Sequence, residues 1–392
     1  MAWRYDCRRF GPPARADTAS DFSGATSAAT FKRSSKVRAA RFYAKGDVRV
    51  EELPEPVDLQ PDEVLVRNRL CGICGTDLHE FADGPHFISS QPNPFSGASI
   101  PQILGHEFSG EIAAVGSDVS HLKLGDRVAI QPHMGPADGY FGVRGLHFLA
   151  TRGAATGLTW NWGGFADFAV MKASATVKMP DTLTFEQGAM VEPAAVAVTA
   201  VDRSGLEPGG SILITGGGPI GALTVMAAHA AGAGKIFLSE PNAARRKRIE
   251  SLGIPVITID PTKTPLADFI REHTFERLGC DSAIECAGNP RAIADCIKSA
   301  RSQATVVLVG LTNAKVEFSP FDLITRDIRL QGSLCYPTTL WPRLYAMIES
   351  GRLPVERLID DTIALDDIVE KGFKPLMDPS GTKMKILVEL GV

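Results

Sequence analysis

A turn of three glycines limits what this chain can fold into more than any other stretch. Gly216-x-Gly218-x-x-Gly221 follows the apolar run Ser211-Ile212-Leu213-Ile214-Thr215 and opens helical periodicity from Pro219 to about Ala231. A glycine string alone is weak, but strand before and helix after is the context a dinucleotide-binding βαβ unit requires. Gly216 permits the tight turn, Gly218 lets backbone approach a pyrophosphate, and Gly221 allows close helix packing. With Ile220 among them, the residues at the helix start offer unpaired N–H groups and a partial positive charge to the phosphates. The next apolar run, Lys235 to Ser239, ends in Glu240, nineteen residues past Gly221. A carboxylate there accepts hydrogen bonds from both ribose hydroxyls and repels a 2′-phosphate, which favours NAD over NADP. Arg245 and Arg246 speak for NADP, although with Lys247 and Arg248 they also read as a solvated helix face.

The region resembles a membrane span, because Ser211 to Gly234 carries no charged side chain over a bilayer-crossing length. Gly216-Gly217-Gly218-Pro219 breaks it, and lipid-exposed backbone at the break would be left unpaired. Beyond the turn come strand-like Val256 to Ile259, helical Pro265 to Leu278, strand-like Cys280 to Cys286, helical Arg291 to Ala300 and strand-like Thr305 to Gly310. Continuous apolar strands between helices predict an α/β fold whose doubly wound parallel sheet is covered on both faces. Earlier segments, Arg38 to Tyr43, Val48 to Leu53, Glu63 to Asn68, Phe108 to Val115 and Arg127 to Ile130, are short and punctuated by glycine and proline. They predict an antiparallel, barrel-like domain with loops carrying the Cys74 and His106 motifs. A chain of 392 residues is long for one core. Residues 36–191 and 332–392 are therefore expected to form one domain and 192–331 the other. In the returning part Leu340 to Ser350 reads as helix and Lys383 to Leu390 as strand.

A net charge of −4 leaves no footprint for nucleic acid or an anionic membrane. Seven irregularly spaced cysteines point to reduced thiols and a cytoplasmic setting, not a disulfide framework. Residues 1–35 read as a disordered tail. Its Arg and Ser content allows a mitochondrial targeting segment, against which stand Asp6, Asp17, Asp21 and the helix-breaking Gly11-Pro12-Pro13.

The chemistry concentrates in Cys71-Gly72-Ile73-Cys74-Gly75-Thr76-Asp77-Leu78-His79 and in Gly105-His106-Glu107, about thirty residues later. A Cys-x-x-Cys pair also occurs in redox couples and in zinc knuckles. The second half of a knuckle is missing, and a thioredoxin-like pair should open a helix rather than run into Gly-Thr-Asp. A catalytic zinc takes three ligands from thiolate, imidazole and carboxylate and keeps one position open. Cys74, His106 and either Glu107 or a later carboxylate could supply them. The irregular stretch from Pro132 to Gly164 needs a scaffold of its own, and Trp160 and Trp162 are expected to pack rather than line a pocket.

Together with Val191-Glu192-Pro193 and Glu285-Cys286-Ala287-Gly288-Asn289, these motifs resemble the zinc-dependent medium-chain alcohol and polyol dehydrogenases from Val37 to the end. Asp77-Leu78-His79-Glu80, the insert through Gly84 to Ile88 and Pro92 to Pro101, and Gly105 to Gly110 make the 2,3-butanediol dehydrogenases the nearest likeness. The resemblance implies a GroES-like, mostly-β catalytic domain beside a Rossmann domain. It implies Cys74 as the zinc thiolate, His106 as the imidazole ligand and Glu107 and Glu192 as carboxylates at the metal. Asp77 would orient the histidine, and Thr76 and His79 would relay the proton. Gly216, Gly218, Gly221, Glu240 and Arg245 fall on the cofactor positions, and Val309, Leu311 and Leu334 beside the nicotinamide. The family often holds a second, structural zinc on a cysteine-bearing lobe. Here those positions fall on Pro136, Gly139, Gly142 and Ala150, so one zinc per subunit is expected.

The activity so implied is reversible, NAD-dependent oxidation of a secondary alcohol, above all a vicinal diol, by a homodimer or homotetramer. Two rival readings are a sorbitol, xylitol or threonine dehydrogenase of the same fold, and a non-catalytic NAD-binding module. The second would have no need for a metal constellation.

Overall fold

The computed structural model describes residues 36–391 apart from Val57. Its two principal sheets have seven and six strands. In the six-stranded sheet Ile257–Ile259, Lys235–Ser239, Ser211–Thr215, Cys280–Glu285, Ala300–Leu308 and Arg329–Gly332 lie side by side, all parallel. Chain order reverses between Ser211–Thr215 and Cys280–Glu285, and a crevice at such a switch point is where these sheets take ligands. The continuous apolar runs have a direct cause. Ile212, Ile214, Ile236, Leu238 and Ile284 enter one core, while Leu213, Phe237 and Ala283 enter another on the opposite face. Both faces are covered, so neither can be polar.

The seven-stranded sheet runs Thr176–Lys178, Arg127–Ile130, Glu107–Val115, Glu63–Gly72, Lys385–Glu389 and Ile359–Ala364, with Phe168–Lys172 also pairing on Glu63–Gly72. All pairings are antiparallel except that of the last two strands in chain order. The strand Lys385–Glu389 sets Leu387 opposite Gly72 and Val388 opposite Cys71, bringing the end of the chain against the cysteine motif. A smaller sheet holds Asp47–Pro54, Lys36–Ala44 and Gln102–Ile103.

Helix Phe185–Ser204 packs against Pro219–Ala230 on one side and strand Glu107–Val115 on the other. Its sequence is apolar nearly all round because both sides are covered. Thr184 and Gln187 form its capping box. The irregular stretch is closed by pairing of His133–Met134 with Ala154–Ala155. Trp160 is buried and donates its ring N–H to the Val170 carbonyl at 2.8 Å, so it packs rather than lining a pocket. The segment expected to be helical from Pro265 to Leu278 is helix only over Leu266–Glu272. His273, with φ −105, ends it, and the positive φ of Glu276 and Arg277 keeps the following turn from resuming it. Among the described residues no helix is long and apolar enough to cross a membrane. The expectations for residues 1–35 lie outside the described residues.

Candidate active site

The cysteine motif departs from the sequence reading in one respect. It was expected on a loop, but Cys74 caps the helix Gly75–Asp83. Asp77, three residues on, accepts the Cys74 N–H at 2.9 Å, and that bond turns the chain into the helix. Opening a helix therefore does not separate this motif from a redox pair. Burial does: Cys71 is sealed within Glu63–Gly72, where desolvation pushes its thiol well above the ordinary range.

Asp77 joins the two halves of the site. Its carboxylate is fully buried, accepts the Gly105 N–H at 3.2 Å and stands 3.8 Å from His106 Nδ1. Gly105 has φ +90, and a side chain there would strike Cys71 and the Phe165 backbone. With both motifs pinned to one carboxylate, Cys74, His106 and Glu107 present ligand atoms within 4.8 Å of one another. Nδ1 of His106 is buried without a hydrogen-bond partner. A half-open thiol, a buried imidazole and a buried carboxylate converging in this way fit a zinc ion.

Glu107 has a partner invisible in the sequence. Lys385, 278 residues away, donates to Glu107 Oε2 at 2.6 Å and to the Ile73 carbonyl at 2.9 Å. Both charged side chains are at most 2% exposed. A Cβ on Gly72 would come within 2.4 Å of the same oxygen, so the carboxylate can lie there only over a glycine. Glu192 stands outside the three-residue cluster. Its Oε1 accepts the hydroxyl of buried Tyr336 at 2.8 Å, and burial pushes it up to about 7 against the opposing pull of His106. Thr76 Oγ1 lies 3.8 Å from Cys74 Sγ. His79 is exposed on the same helix, and among the described residues no hydrogen bond joins it to Thr76. Glu80, also missed, is fully buried and accepts the N–H groups of His86 and Phe87 at 2.9 and 2.6 Å, tethering the insert.

At the glycine turn, Gly216 has φ +93 and a Cβ on Gly221 would lie 1.8 Å from the Gly216 carbonyl oxygen. A Cβ on Gly218 would meet no protein atom within 4 Å, which leaves the space a pyrophosphate needs. Glu240 is buried, with one carboxylate oxygen accepting Gly217 N–H at 2.6 Å and the other Asn242 N–H at 2.7 Å. Sequence reasoning passed over Gly217, whose Cβ would strike that carboxylate. The basic helix is not simply a solvated face. Arg246 donates to the Glu240 carbonyl at 2.5 Å and Arg248 pairs with Asp360 at 3.2 Å, while Lys247 is exposed. Arg245 is half-buried at the helix start. Val309 donates its N–H to the Glu285 carbonyl, and Leu311 and Leu334 lie exposed past the ends of neighbouring strands. Ile220 lies in the first turn of Pro219–Ala230.

At the lobe, Gly139 donates its N–H to the Pro136 carbonyl, Gly145 to that of Gly142 and Ala150 to that of His147, and Thr338 donates its N–H to the Gly145 carbonyl at 2.9 Å. A Cβ on Gly142 would lie 2.0 Å from the Pro136 carbonyl oxygen, so backbone fills that place.

The chain matches two family models, the alcohol dehydrogenase GroES-like domain over residues 60–181 and the zinc-binding dehydrogenase over residues 219–350. The (R,R)-butanediol dehydrogenase of Bacillus subtilis strain 168 is 35% identical over 355 residues, covering 90% of this chain and 99% of that protein. The crystal structure of the 2R,3R-butanediol dehydrogenase from Bacillus subtilis superposes with a TM-score of 0.84 at 35% identity, over 90% of this chain and 99% of that one. A zinc-binding dehydrogenase of Sinorhizobium meliloti 1021, solved bound to NADP, matches with a TM-score of 0.80 at 30% identity, over 91% of this chain and 100% of that one.

Proposed function

The chain belongs to the zinc-dependent medium-chain alcohol dehydrogenases, close to the butanediol dehydrogenases, and from that premise we propose that it oxidises a vicinal diol such as 2,3-butanediol to the hydroxyketone, with NAD as acceptor and one catalytic zinc per subunit. The observation that carries this reading is the convergence of Cys74, His106 and Glu107 on one point. These three would hold the zinc. Glu192 would stand beside it as the carboxylate that holds water or exchanges onto the metal. When bound, the zinc acts as a Lewis acid on the alcohol oxygen and the nicotinamide accepts the hydride.

The remaining work falls to this chain's own groups. Thr76 Oγ1, 3.8 Å from Cys74 Sγ, would receive the alcohol proton, and exposed His79 on the same helix would hand it to water, the bound cofactor's ribose hydroxyl supplying the link between them. Asp77 keeps the His106 imidazole turned toward the metal position. Buried Glu240 supports NAD, since a 2′-phosphate would meet its carboxylate with Arg246 already engaged by Asp260 at 3.4 Å. Gly216, Gly218, Ile220 and Gly221 would cradle the pyrophosphate, Arg245 would border the adenosine, and Val309, Leu311 and Leu334 would flank the nicotinamide. The domain division is proposed at residues 192 and 331. The assembly is proposed as a homodimer or homotetramer, and the unpaired thiols at all six described cysteines support a cytoplasmic setting.

The test is NAD reduction by purified protein with 2,3-butanediol stereoisomers, sorbitol, xylitol and threonine, each with and without a zinc chelator. Chelator-sensitive turnover, strongest on butanediol and faster with NAD than NADP, is expected. Preference for another alcohol would discard the diol assignment, and silence across the panel in a protein that binds zinc and NAD would discard the catalytic reading. Cys74→Ser should lose zinc and activity together; retention of both would overturn the ligand assignment.

A further inference from the structure

The proposed mechanism leaves one polar pair at the site unused. Cys335 Sγ lies 3.1 Å from His133 Nε2, a contact between residues 202 apart. His133 starts the short strand His133–Met134 at the base of the lobe, and Cys335 follows the last strand of the parallel sheet. The pair stands near the metal cluster: Cys335 feels the charge of Cys74 and His133 that of His106, and Tyr336, next to Cys335, is bonded to Glu192. It is partly exposed on both sides, unlike the sealed Cys71 and Tyr336. Cys335 also has φ +47, a left-handed conformation that a side chain occupies at a cost and that glycine would take freely.

We propose that the Cys335 thiol and the His133 imidazole form the subsite for the second oxygen of the diol, the one on the carbon next to the carbon being oxidised. The inference rests on the diol-oxidising reading above and deepens it. One oxygen of the substrate goes to the metal position, and the other needs a partner at its edge. Burial pushes the Cys335 thiol up to about 12, with Glu192 and Cys74 adding to it, and pushes the His133 imidazole down to about 4, with His106 adding to that. Burial thus disfavours both the thiolate and the imidazolium. A neutral thiol and imidazole supply a donor and an acceptor with no net charge. That suits a hydroxyl or a ketone and offers no countercharge to a carboxylate or phosphate, so the pair favours neutral vicinal diols and hydroxyketones.

The experiment compares kcat/KM for 2,3-butanediol with that for 2-butanol, which keeps the carbon skeleton and lacks the second oxygen. The ratio is measured in the zinc-loaded wild type and in Cys335→Gly, Cys335→Ser and His133→Phe. Cys335→Gly removes the thiol and also suits the left-handed backbone, so the fold is retained. Zinc content and thermal unfolding are followed in every variant. Cys335→Gly and His133→Phe are each expected to lower the diol-to-mono-ol ratio about tenfold, mainly through the KM for the diol, with Cys335→Ser restoring most of it. An unmoved ratio in both, or a Ser variant as poor as Gly, overturns the subsite. A wild type that oxidises neither alcohol would instead bring down the functional reading and the subsite with it.

Discussion

Lys385 is the residue with the least sequence signal and one of the strongest positions. It sits in an apolar C-terminal strand, where a lysine ordinarily reads as surface, yet it is 1% exposed beside Glu107. Removing one member of such a pair leaves a buried charge uncompensated. Lys385→Met should therefore cost about 3 kcal/mol in chelator-stripped protein, and less once zinc gives Glu107 another cation. Urea unfolding of both forms measures this, and an equal loss in the two would argue that Glu107 does not approach the metal. His106 yields a second prediction. Burial alone would lower its pKa, but Cys74 and Asp77 outweigh that and hold it well above the ordinary imidazole range. In neutral buffer the metal-free imidazole thus carries a proton that zinc must displace. Calorimetry in two buffers of different ionisation enthalpy should show proton release on zinc uptake, and affinity should weaken as pH falls. Cys74, His106 and Glu107 were legible because metal-ligand residue types stand at short spacing between glycines. Lys385, Tyr336 and His133 were not, since nothing local marks a side chain whose partner lies more than a hundred residues away.

At the scale of elements, the glycine turn separates two roles that one motif carries. Gly221 is required by the protein itself, since its Cβ would collide with the Gly216 carbonyl, whereas Gly218 faces open space. Gly221→Ala should lower both the unfolding temperature and NADH affinity. Gly218→Ala should keep the unfolding temperature within a few degrees and weaken NADH binding about tenfold or more, seen by fluorescence titration. Equal thermal loss in the two would mean the turn does not divide in this way. The helix Gly75–Asp83 is where local reading fell short. Thr76 and Asp77 looked like loop residues, and only the bond from the Cys74 N–H to the Asp77 carboxylate converts them into a helix start. Capping was written in the sequence as Cys-x-x-Asp, a pattern weaker than the Ser or Thr boxes usually searched for.

At the scale of the molecule, the outer strand of the parallel sheet, Arg329–Gly332, is exposed along its length. Leu330 is 36% exposed on it, with Phe321 and Ile324 at 70% and 77% on the preceding helix. An exposed edge with apolar neighbours is a template for pairing. Light scattering should give two or four times the chain mass, and Ile324→Glu should shift that toward one; a monomeric wild type would dismiss the assembly. The sequence by itself determined the doubly wound sheet, the nucleotide turn and which side chains converge as Cys74, His106 and Glu107. Each is signalled by periodicity or spacing within about thirty residues, where local pattern acts directly. Only the tertiary structure decided that Lys385 would hold Glu107, that Tyr336 would hold Glu192, and that Cys335 would meet His133. Those contacts follow from antiparallel pairing of the last strand with Glu63–Gly72 and from the chain's return past Gly332, registers set by burial of whole sheets rather than by any local pattern.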